Sequence, residues 1–232
     1  MATVALDNKA AVSPDSRFLT PGFGAESFTV GNNPNRVLIA ICETGALSTV
    51  SGLAWDGVAM TQLFSDSIPG SIQAVQFFAF ALVAPNVGTL NFTVTASGSQ
   101  DVYCNAYSFY NAAQSLPTLY NKSAQGTSTQ TASVTAAGGE YGVGMAFSGF
   151  SVPTGFSLSG DASSNQLGIN AWFTGDTNGT VAAGTRTAVS NYSSGGSSVQ
   201  AGIILVSPYP DHNYGFIQNK MKPAMFKPGN AR

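Results

Sequence analysis

The chain has 232 residues; 44% are hydrophobic and only 9% are charged, against about 25% charged residues in ordinary soluble domains. This composition excludes a disordered chain, which combines low hydrophobicity with high net charge, and it predicts a folded body with a polar but uncharged surface. Five basic and ten acidic residues precede Pro208, whereas four basic residues and one acidic residue follow it. The body therefore offers no basic face to nucleic acid.

Short β-type runs separated by turn signals fill the first part of the chain. Residues 26–31 alternate between apolar and polar side chains, and residues 36–44 are nearly all apolar, which is typical of a strand covered on both faces. Within residues 48–64, the pair Asp56-Gly57 stands between two alternating arms. That pattern predicts a tight hairpin.

The same pattern continues to the end of the body. Apolar or alternating runs occupy residues 74–84, 88–98 and 101–110, and the polar stretch 111–130 is interpreted as a long crossover between sheets or halves. The second half repeats this style without an exact internal repeat, in the runs 131–150, 167–175, 179–190 and 198–207. The prediction for residues 1–207 is an all-β fold, a two-sheet antiparallel sandwich that is jelly-roll-like or Ig-like.

Residues 208–232 are predicted to form an extended C-terminal arm. The sandwich is expected to close at Val206, because the two prolines that follow disfavour another central strand. Three placements stay open for the arm: docking on a neighbouring subunit or another protein, packing on its own sandwich, or disorder. Its predicted partner-binding residues are Tyr209, Tyr214, Phe216, Ile217, Lys220, Met221, Lys222, Met225, Phe226, Lys227 and Arg232.

No catalytic motif is visible. His212 is the single histidine and lies in the arm, and the sequence contains no G-x-S-x-G motif whose serine it could activate. Asp56 and Asp176 are predicted in turns, where aspartate makes local hydrogen bonds. The segment 175–179 lacks the closing glutamate of a calcium loop. We therefore expect a protein that is not an enzyme and that uses no metal and no cofactor.

Two cysteines and two tryptophans each allow two interpretations. Cys42 and Cys104 are expected as buried free thiols, and a disulfide stays open because the sequence does not give the Cα spacing that it needs. Trp55 and Trp172 are expected in the core, with stacking on sugar rings as the alternative.

The order of strand-like runs carries a resemblance. The segments "SFTVGNNPNRVLIAICE", "VSGLAWDGVAMTQLF", "FFAFALVAPNVGTLNFTVTASG" and "VYCNAYSFYNAAQSLP" resemble a loose class of β-sandwich modules of bacteriophage structural proteins and bacterial surface proteins. The resemblance covers about residues 3–207 and rests on strand order and style rather than on an active-site motif. It implies a structural or adhesive module and supplies no catalytic residues.

These observations predict a non-enzymatic virion structural protein, in particular a capsid decoration or cement protein whose arm docks on neighbouring subunits. Its expected partners are other virion proteins, such as the major capsid or tail protein, and copies of itself. The alternative is a carbohydrate- or receptor-binding tail or surface module, with surface glycans as partners. No secretion signal and no apolar run of about 20 residues is visible, so we expect synthesis in the host cytoplasm and a final location in the virion, without nucleic-acid or membrane contact.

Overall fold

The computed structural model describes residues 3–11, 26–45, 49–68, 75–97, 102–148, 155–158, 167–169, 172–191 and 198–210. Every regular element in these ranges is a β-strand, and every strand pairing is antiparallel. The all-β antiparallel sandwich predicted from the sequence is therefore confirmed. The described strands form four sheets and not the predicted two, because each of two successive halves of the chain builds its own pair of sheets.

The first half, which we call the N-half, contains nine strands in two sheets. The inner N-sheet has the order β1-β9-β3-β7-β6, and the outer N-sheet has the order β2-β8-β4-β5. The strands are β1 Ala5–Ala11, β2 Glu26–Val30, β3 Val37–Gly45, β4 Thr49–Trp55, β5 Val58–Ala59, β6 Thr61–Ile68, β7 Val75–Val83, β8 Gly88–Ser97 and β9 Val102–Tyr110.

The second half, the C-half, contains eight strands. The inner C-sheet has the order β10-β17-β12-β15-β14, and the outer C-sheet has the order β11-β16-β13. The strands are β10 Leu119–Lys122, β11 Gln130–Ala136, β12 Tyr141–Ser148, β13 Gly155–Leu158, β14 Leu167–Ile169, β15 Trp172–Thr180, β16 Gly184–Asn191 and β17 Val199–Val206.

The two halves repeat one topology. When β1, β2, β3, β4, β6, β7, β8 and β9 are replaced in turn by β10 to β17, both sheet orders of the N-half become those of the C-half, and only the two-residue β5 has no counterpart among the described strands. The sequence shows no exact internal repeat, so the duplication is visible only in the strand order.

Three apolar layers hold the four sheets together. One layer lies between the two N-sheets, one lies between the two C-sheets, and a third lies between the inner N-sheet and the inner C-sheet. The strand β3 therefore contributes to two layers: Leu38, Ala40 and Cys42 face the outer N-sheet, while Ile39 and Ile41 face the C-half. This confirms the prediction that the run 36–44 is covered on both faces.

The predicted hairpin at Asp56-Gly57 is also confirmed. Trp55 pairs with Val58, and Asp56 and Gly57 have φ angles of 48° and 74°, which is the left-handed conformation that a two-residue turn of this kind requires. Beyond Met60 the chain leaves the outer N-sheet, because β6 pairs with β7 of the inner sheet.

Candidate interaction site

The end of β17 stays attached to the body after the sandwich closes at Val206. The Ala113 N–H donates to the Ser207 carbonyl at 2.9 Å, and the Tyr209 N–H donates to the Asn111 carbonyl at 2.7 Å. The first residues of the predicted arm therefore run antiparallel to the start of the connector between the two halves.

The same connector is held from its other side by the turn between β2 and β3. The Asn111 N–H donates to the Pro34 carbonyl at 3.1 Å, and the Ala112 N–H donates to the Asn35 carbonyl at 2.9 Å. Asn35 and Asn111 have φ angles of 52° and 53°, a left-handed conformation that asparagine adopts more readily than most residues. We call residues 31–36, 111–114 and 207–210 the exit platform.

Asp7 anchors the exit platform to the inner N-sheet. Its carboxylate accepts hydrogen bonds from the Gly31 N–H at 2.7 Å, the Asn33 side-chain amide at 2.7 Å and the Ser108 hydroxyl at 2.8 Å. A Cβ on Gly31 would lie 2.3 Å from the Asp7 carboxylate, so a larger residue here would displace the carboxylate from its hydrogen bonds. The arm consequently begins from a fixed position on the molecule.

Of the predicted partner-binding residues, only Tyr209 belongs to the described part of the chain. Its backbone lies in the exit platform and its side chain is half-buried. Partner binding by the arm stays a prediction. The others lie outside the described residues: Tyr214, Phe216, Ile217, Lys220, Met221, Lys222, Met225, Phe226, Lys227 and Arg232.

Asp176 forms a buried ion pair between the halves. The Lys9 ammonium of β1 lies 2.6 Å from its carboxylate, the Tyr141 hydroxyl donates to it at 3.0 Å, and the Asn178 N–H donates at 2.8 Å. The predicted turn is therefore wrong: Asp176 lies within β15 and is fully buried. The Asn178 bond is the local contact that the prediction anticipates, but the charge is neutralised from the other half.

A second set of polar groups crosses the same interface. The Asn105 amide donates to the Thr174 hydroxyl at 2.8 Å, and the Tyr107 hydroxyl lies 2.6 Å from the same oxygen. Burial raises the pKa of Tyr107 above its usual range, so the phenol stays protonated at neutral pH. This arrangement positions the halves and provides no group that exchanges protons near neutrality.

Asp66 makes the reciprocal ion pair, from the N-half to Lys122 of β10 in the C-half. Gln200 also donates to its carboxylate at 3.0 Å, and the Ser67 N–H donates at 2.9 Å. Burial alone would raise the pKa of Asp66, but these hydrogen bonds, that of Lys122 first, lower it below its ordinary value. The carboxylate is thus ionised and committed to the interface.

Burial of Glu43 in the fold disfavours the ionised form of its carboxyl. The residue is 7% exposed, its Oε2 has no hydrogen-bond partner, and burial raises its pKa to about 8. Asp66 lies on the same face of the inner N-sheet, two strand spacings of about 4.8 Å away, with Phe77 on the strand between them. Phe77 stacks on Phe147 of the C-half at a centroid distance of 4.2 Å. The two carboxyls therefore have a packed aromatic pair between them instead of a substrate cleft.

The remaining candidate residues do not form a reactive cluster in the part of the chain that the structure describes. No set of three or more His, Cys, Asp or Glu side chains that could hold a metal ion occurs within the described ranges, and His212 lies outside them. Trp55 and Trp172 are 0% and 2% exposed. They are core residues, as expected, and the sugar-stacking alternative cannot use them in this conformation.

Both outer sheets present faces that are rich in hydroxyl groups. The exposed side chains described on β2, β4 and β8 alternate with more buried apolar ones and carry no charge, and those on β11, β13 and β16 are likewise uncharged. The predicted uncharged surface is confirmed for these positions. The exposed polar residues are Ser27, Thr29, Thr49, Ser51, Thr89, Asn91, Thr93, Thr95 and Ser97 on the outer N-sheet, and Thr131, Thr135, Ser157 and Thr185 on the outer C-sheet.

Comparison with known proteins adds no family to this description. Within the part of the chain that the structure describes, no helix is long and apolar enough to cross a membrane. No family model, no curated protein and no solved structure matches the chain.

Proposed function

We propose that this protein is a non-enzymatic structural protein of a bacteriophage virion, in particular a capsid decoration or cement protein. Residues 208–232 act as an arm that docks on neighbouring subunits. The proposal combines the resemblance of the strand order to phage modules with the composition of the arm, which carries apolar anchors and four basic residues on an otherwise acidic chain.

The observation that carries the proposal is the exit platform. Docking a chain segment costs conformational entropy, and that cost falls when one end of the segment is already fixed. Backbone hydrogen bonds fix Ser207 and Tyr209 against Ala113 and Asn111, so the arm starts from one place on a rigid body. The body is compatible with the same role, because its ion pairs Lys9–Asp176 and Lys122–Asp66 join its own halves.

The apolar and the basic residues of the arm contribute to docking in different ways. Apolar anchors such as Phe216 and Phe226 would each contribute roughly 1.5–3 kcal/mol on full burial, before ordering costs. The basic residues, such as Lys220 and Lys222, would mainly steer the encounter with acidic partner patches. In a symmetric particle, many copies multiply these contacts.

The test is attachment to particles of the phage that encodes the chain. Full-length protein and a variant ending at Pro210, which keeps the exit platform, are mixed with particles that lack the protein and are sedimented. We expect the full-length protein to sediment with the particles and the shortened one to stay in solution, with equal thermal unfolding of both. Equal sedimentation of the two would refute the docking role of the arm.

A matched pair of variants separates the two kinds of anchor. Phe216→Ser/Phe226→Ser keeps every charge, whereas Lys220→Gln/Lys222→Gln keeps every apolar side chain. We expect the first variant to dissociate faster and the second to associate more slowly, with a weaker dependence on salt. If neither variant changes either rate, the arm is not the contact surface.

A further inference from the structure

The two cysteines face each other across the central pair of the inner N-sheet. Cys42 of β3 lies directly opposite Cys104 of β9 in an antiparallel register. Opposite residues in such a pair have Cα atoms about 4.5–5.5 Å apart, which falls inside the range of about 4.4–6.8 Å that disulfides span. The register therefore places the two Cα atoms at a separation that a disulfide can span, although both residues are free thiols here.

The two side chains also point the same way and interact. Both belong to the apolar layer against the outer N-sheet and are 0% and 1% exposed. Burial raises the pKa of the Cys42 thiol, and its hydrogen bond with the neighbouring Cys104 thiol raises it further. Because directly opposite residues of an antiparallel pair lie on the same face of the sheet, the two thiols are neighbours in this layer.

The C-half shows that the fold does not need thiols at this place. Cys42 is the sixth residue of β3 and Cys104 is the third of β9; the sixth residue of β12 is Ala146 and the third of β17 is Ala201, and these two alanines are also directly opposite. The same cross-strand position is filled by two methyl groups in one half and by two thiols in the other. Packing alone does not require the thiol pair.

We propose that Cys42 and Cys104 are a disulfide site that closes when the folding chain meets a low-molecular-weight disulfide such as oxidised glutathione. One protein thiolate attacks the glutathione disulfide, forms a mixed disulfide and releases one glutathione thiolate. The second protein thiolate then attacks the protein sulfur of that mixed disulfide and releases the second glutathione as a thiolate. Two protein thiols are oxidised, one glutathione disulfide is reduced to two glutathione thiols, and the two protons pass to the released glutathione.

The timing of this reaction follows from burial. Exchange requires a thiolate that the oxidant can reach, and the folded state provides neither exposure nor easy deprotonation. The bond therefore forms during folding or transient opening and is afterwards shielded from reductants. A chain folded in a reducing cytoplasm keeps its thiols, and one that refolds in an oxidising medium is crosslinked.

The test refolds the full-length chain from denaturant in a buffer of oxidised and reduced glutathione, with a reducing agent alone in a parallel sample. The samples are then denatured, alkylated and weighed by intact mass spectrometry. We expect the oxidised sample to take no alkyl group, to weigh two hydrogens less than the reduced chain, to stay monomeric on a non-reducing gel, and to unfold at a higher temperature. Two alkyl groups per chain, persistent glutathione adducts or crosslinked dimers would each overturn the proposal.

The C-half supplies the control variant. Cys42→Ala/Cys104→Ala copies the pair Ala146 and Ala201, and we expect its unfolding temperature to be the same in both refolding buffers. A rise in the oxidising buffer equal to that of the parent chain would show that the stabilisation does not come from this bond. The thiol count of the parent chain decides the question even if the variant does not fold.

Discussion

The apolar layers inside the two halves differ in side-chain size, although their strand orders are the same. In the N-half, Trp55 and Phe92 pack with ring centroids 4.9 Å apart, and Phe28 meets Trp55 edge-on at 6.0 Å. The corresponding layer of the C-half consists largely of alanines and contains no fully buried aromatic side chain among the described residues: its alanines are Ala132, Ala136, Ala146, Ala188 and Ala201.

This difference indicates that strand order and register depend on the alternation of apolar and polar residues, not on particular core side chains. Alanine side chains fill less space between two sheets than aromatic rings do, and each layer is filled by its own set of side chains. The halves can therefore diverge inside while the interface between them is kept. Residues at which the halves differ, and the ion pairs that join them, test this comparison most directly.

The largest effect is expected from removing the aromatic filling of the N-half. Trp55→Ala deletes a fully buried ring and the hydrogen bond from its indole N–H to the Asn86 carbonyl, and it should lower the free energy of unfolding by about 3–5 kcal/mol. Urea unfolding followed by circular dichroism measures the loss. Val58→Ala, at an exposed position of the same hairpin, is the control and should stay within about 0.5 kcal/mol. A loss below about 1 kcal/mol for Trp55→Ala, of the order expected for an exposed site, would show that the layer closes around the missing ring and that the aromatic filling is not needed.

Glu43 is the seventh residue of its strand, and the C-half has Phe147 at the same position. Because the N-half buries an ionisable carboxyl there, its stability should depend on pH. Burial raises the pKa of Glu43 from 4.5 to about 8. Below pH 4.5 the carboxyl is neutral in both states; between these values only the unfolded chain ionises, so stability falls as the pH rises. The loss is complete above about pH 8 and is on the order of 5 kcal/mol.

Glu43→Gln keeps the shape of the side chain and removes its titration. We expect the variant to be more stable than the parent chain at about pH 8 and to show a flatter profile between about pH 5 and pH 8, measured by urea unfolding at each pH. Parallel profiles for the two proteins would mean that the carboxyl reaches water in the folded state.

Breaking the buried ion pair should have the next largest effect. Asp176→Ala leaves the Lys9 ammonium without its partner and also removes the acceptor of the Tyr141 hydroxyl, and the expected loss is about 3 kcal/mol. The double variant Lys9→Met/Asp176→Leu removes both charges and should lose less than Asp176→Ala alone. If the double variant loses more, the ion pair itself, and not the unpaired charge, accounts for the stability.

The contrast between Asp56 and Asp176 shows how far the sequence predicts this molecule. Both are expected in turns from the glycine or asparagine near them, and for Asp56 the local pattern is sufficient. At Asp176 the local bond from the Asn178 N–H exists, yet the residue is buried because Lys9, 167 positions away, reaches it from the other half. Local patterns predict strands and turns, whereas the packing of one half on the other depends on contacts that a single sequence does not show.

The same limit explains which strands and site residues sequence reasoning misses. The strands β1 and β10 lie at sheet edges and mix apolar and polar residues without regular alternation, and their lysines gain partners only when the two halves meet. The exit platform depends on backbone hydrogen bonds between residues 31–36, 111–114 and 207–210, which leave no mark on composition. A comparison of strand spacing between the halves could have indicated the repeated topology, since long apolar runs recur in the same order.

The smallest effect is expected at the more exposed of the reciprocal ion pairs. The side chains of Lys122 and Asp66 are 36% and 25% exposed, against 21% and 0% for Lys9 and Asp176. Solvent screens such a pair, so Asp66→Asn should cost below about 1 kcal/mol at neutral pH. Because the pKa of Asp66 is lowered in the folded state, its contribution is present above the ordinary pKa of an aspartate and is lost as the pH falls through the folded value.

Salt separates the two ion pairs most directly. At about 1 M salt the Debye length shrinks to roughly 3 Å, so the cost of Asp66→Asn should decrease further, whereas the cost of Asp176→Ala should change little because no solvent reaches that carboxylate. Urea unfolding of both variants and the parent chain at low and high salt measures the difference. An equal salt response of the two variants would mean that salt screens both ion pairs to the same extent. The difference in exposure between the two carboxylates would then have no electrostatic consequence.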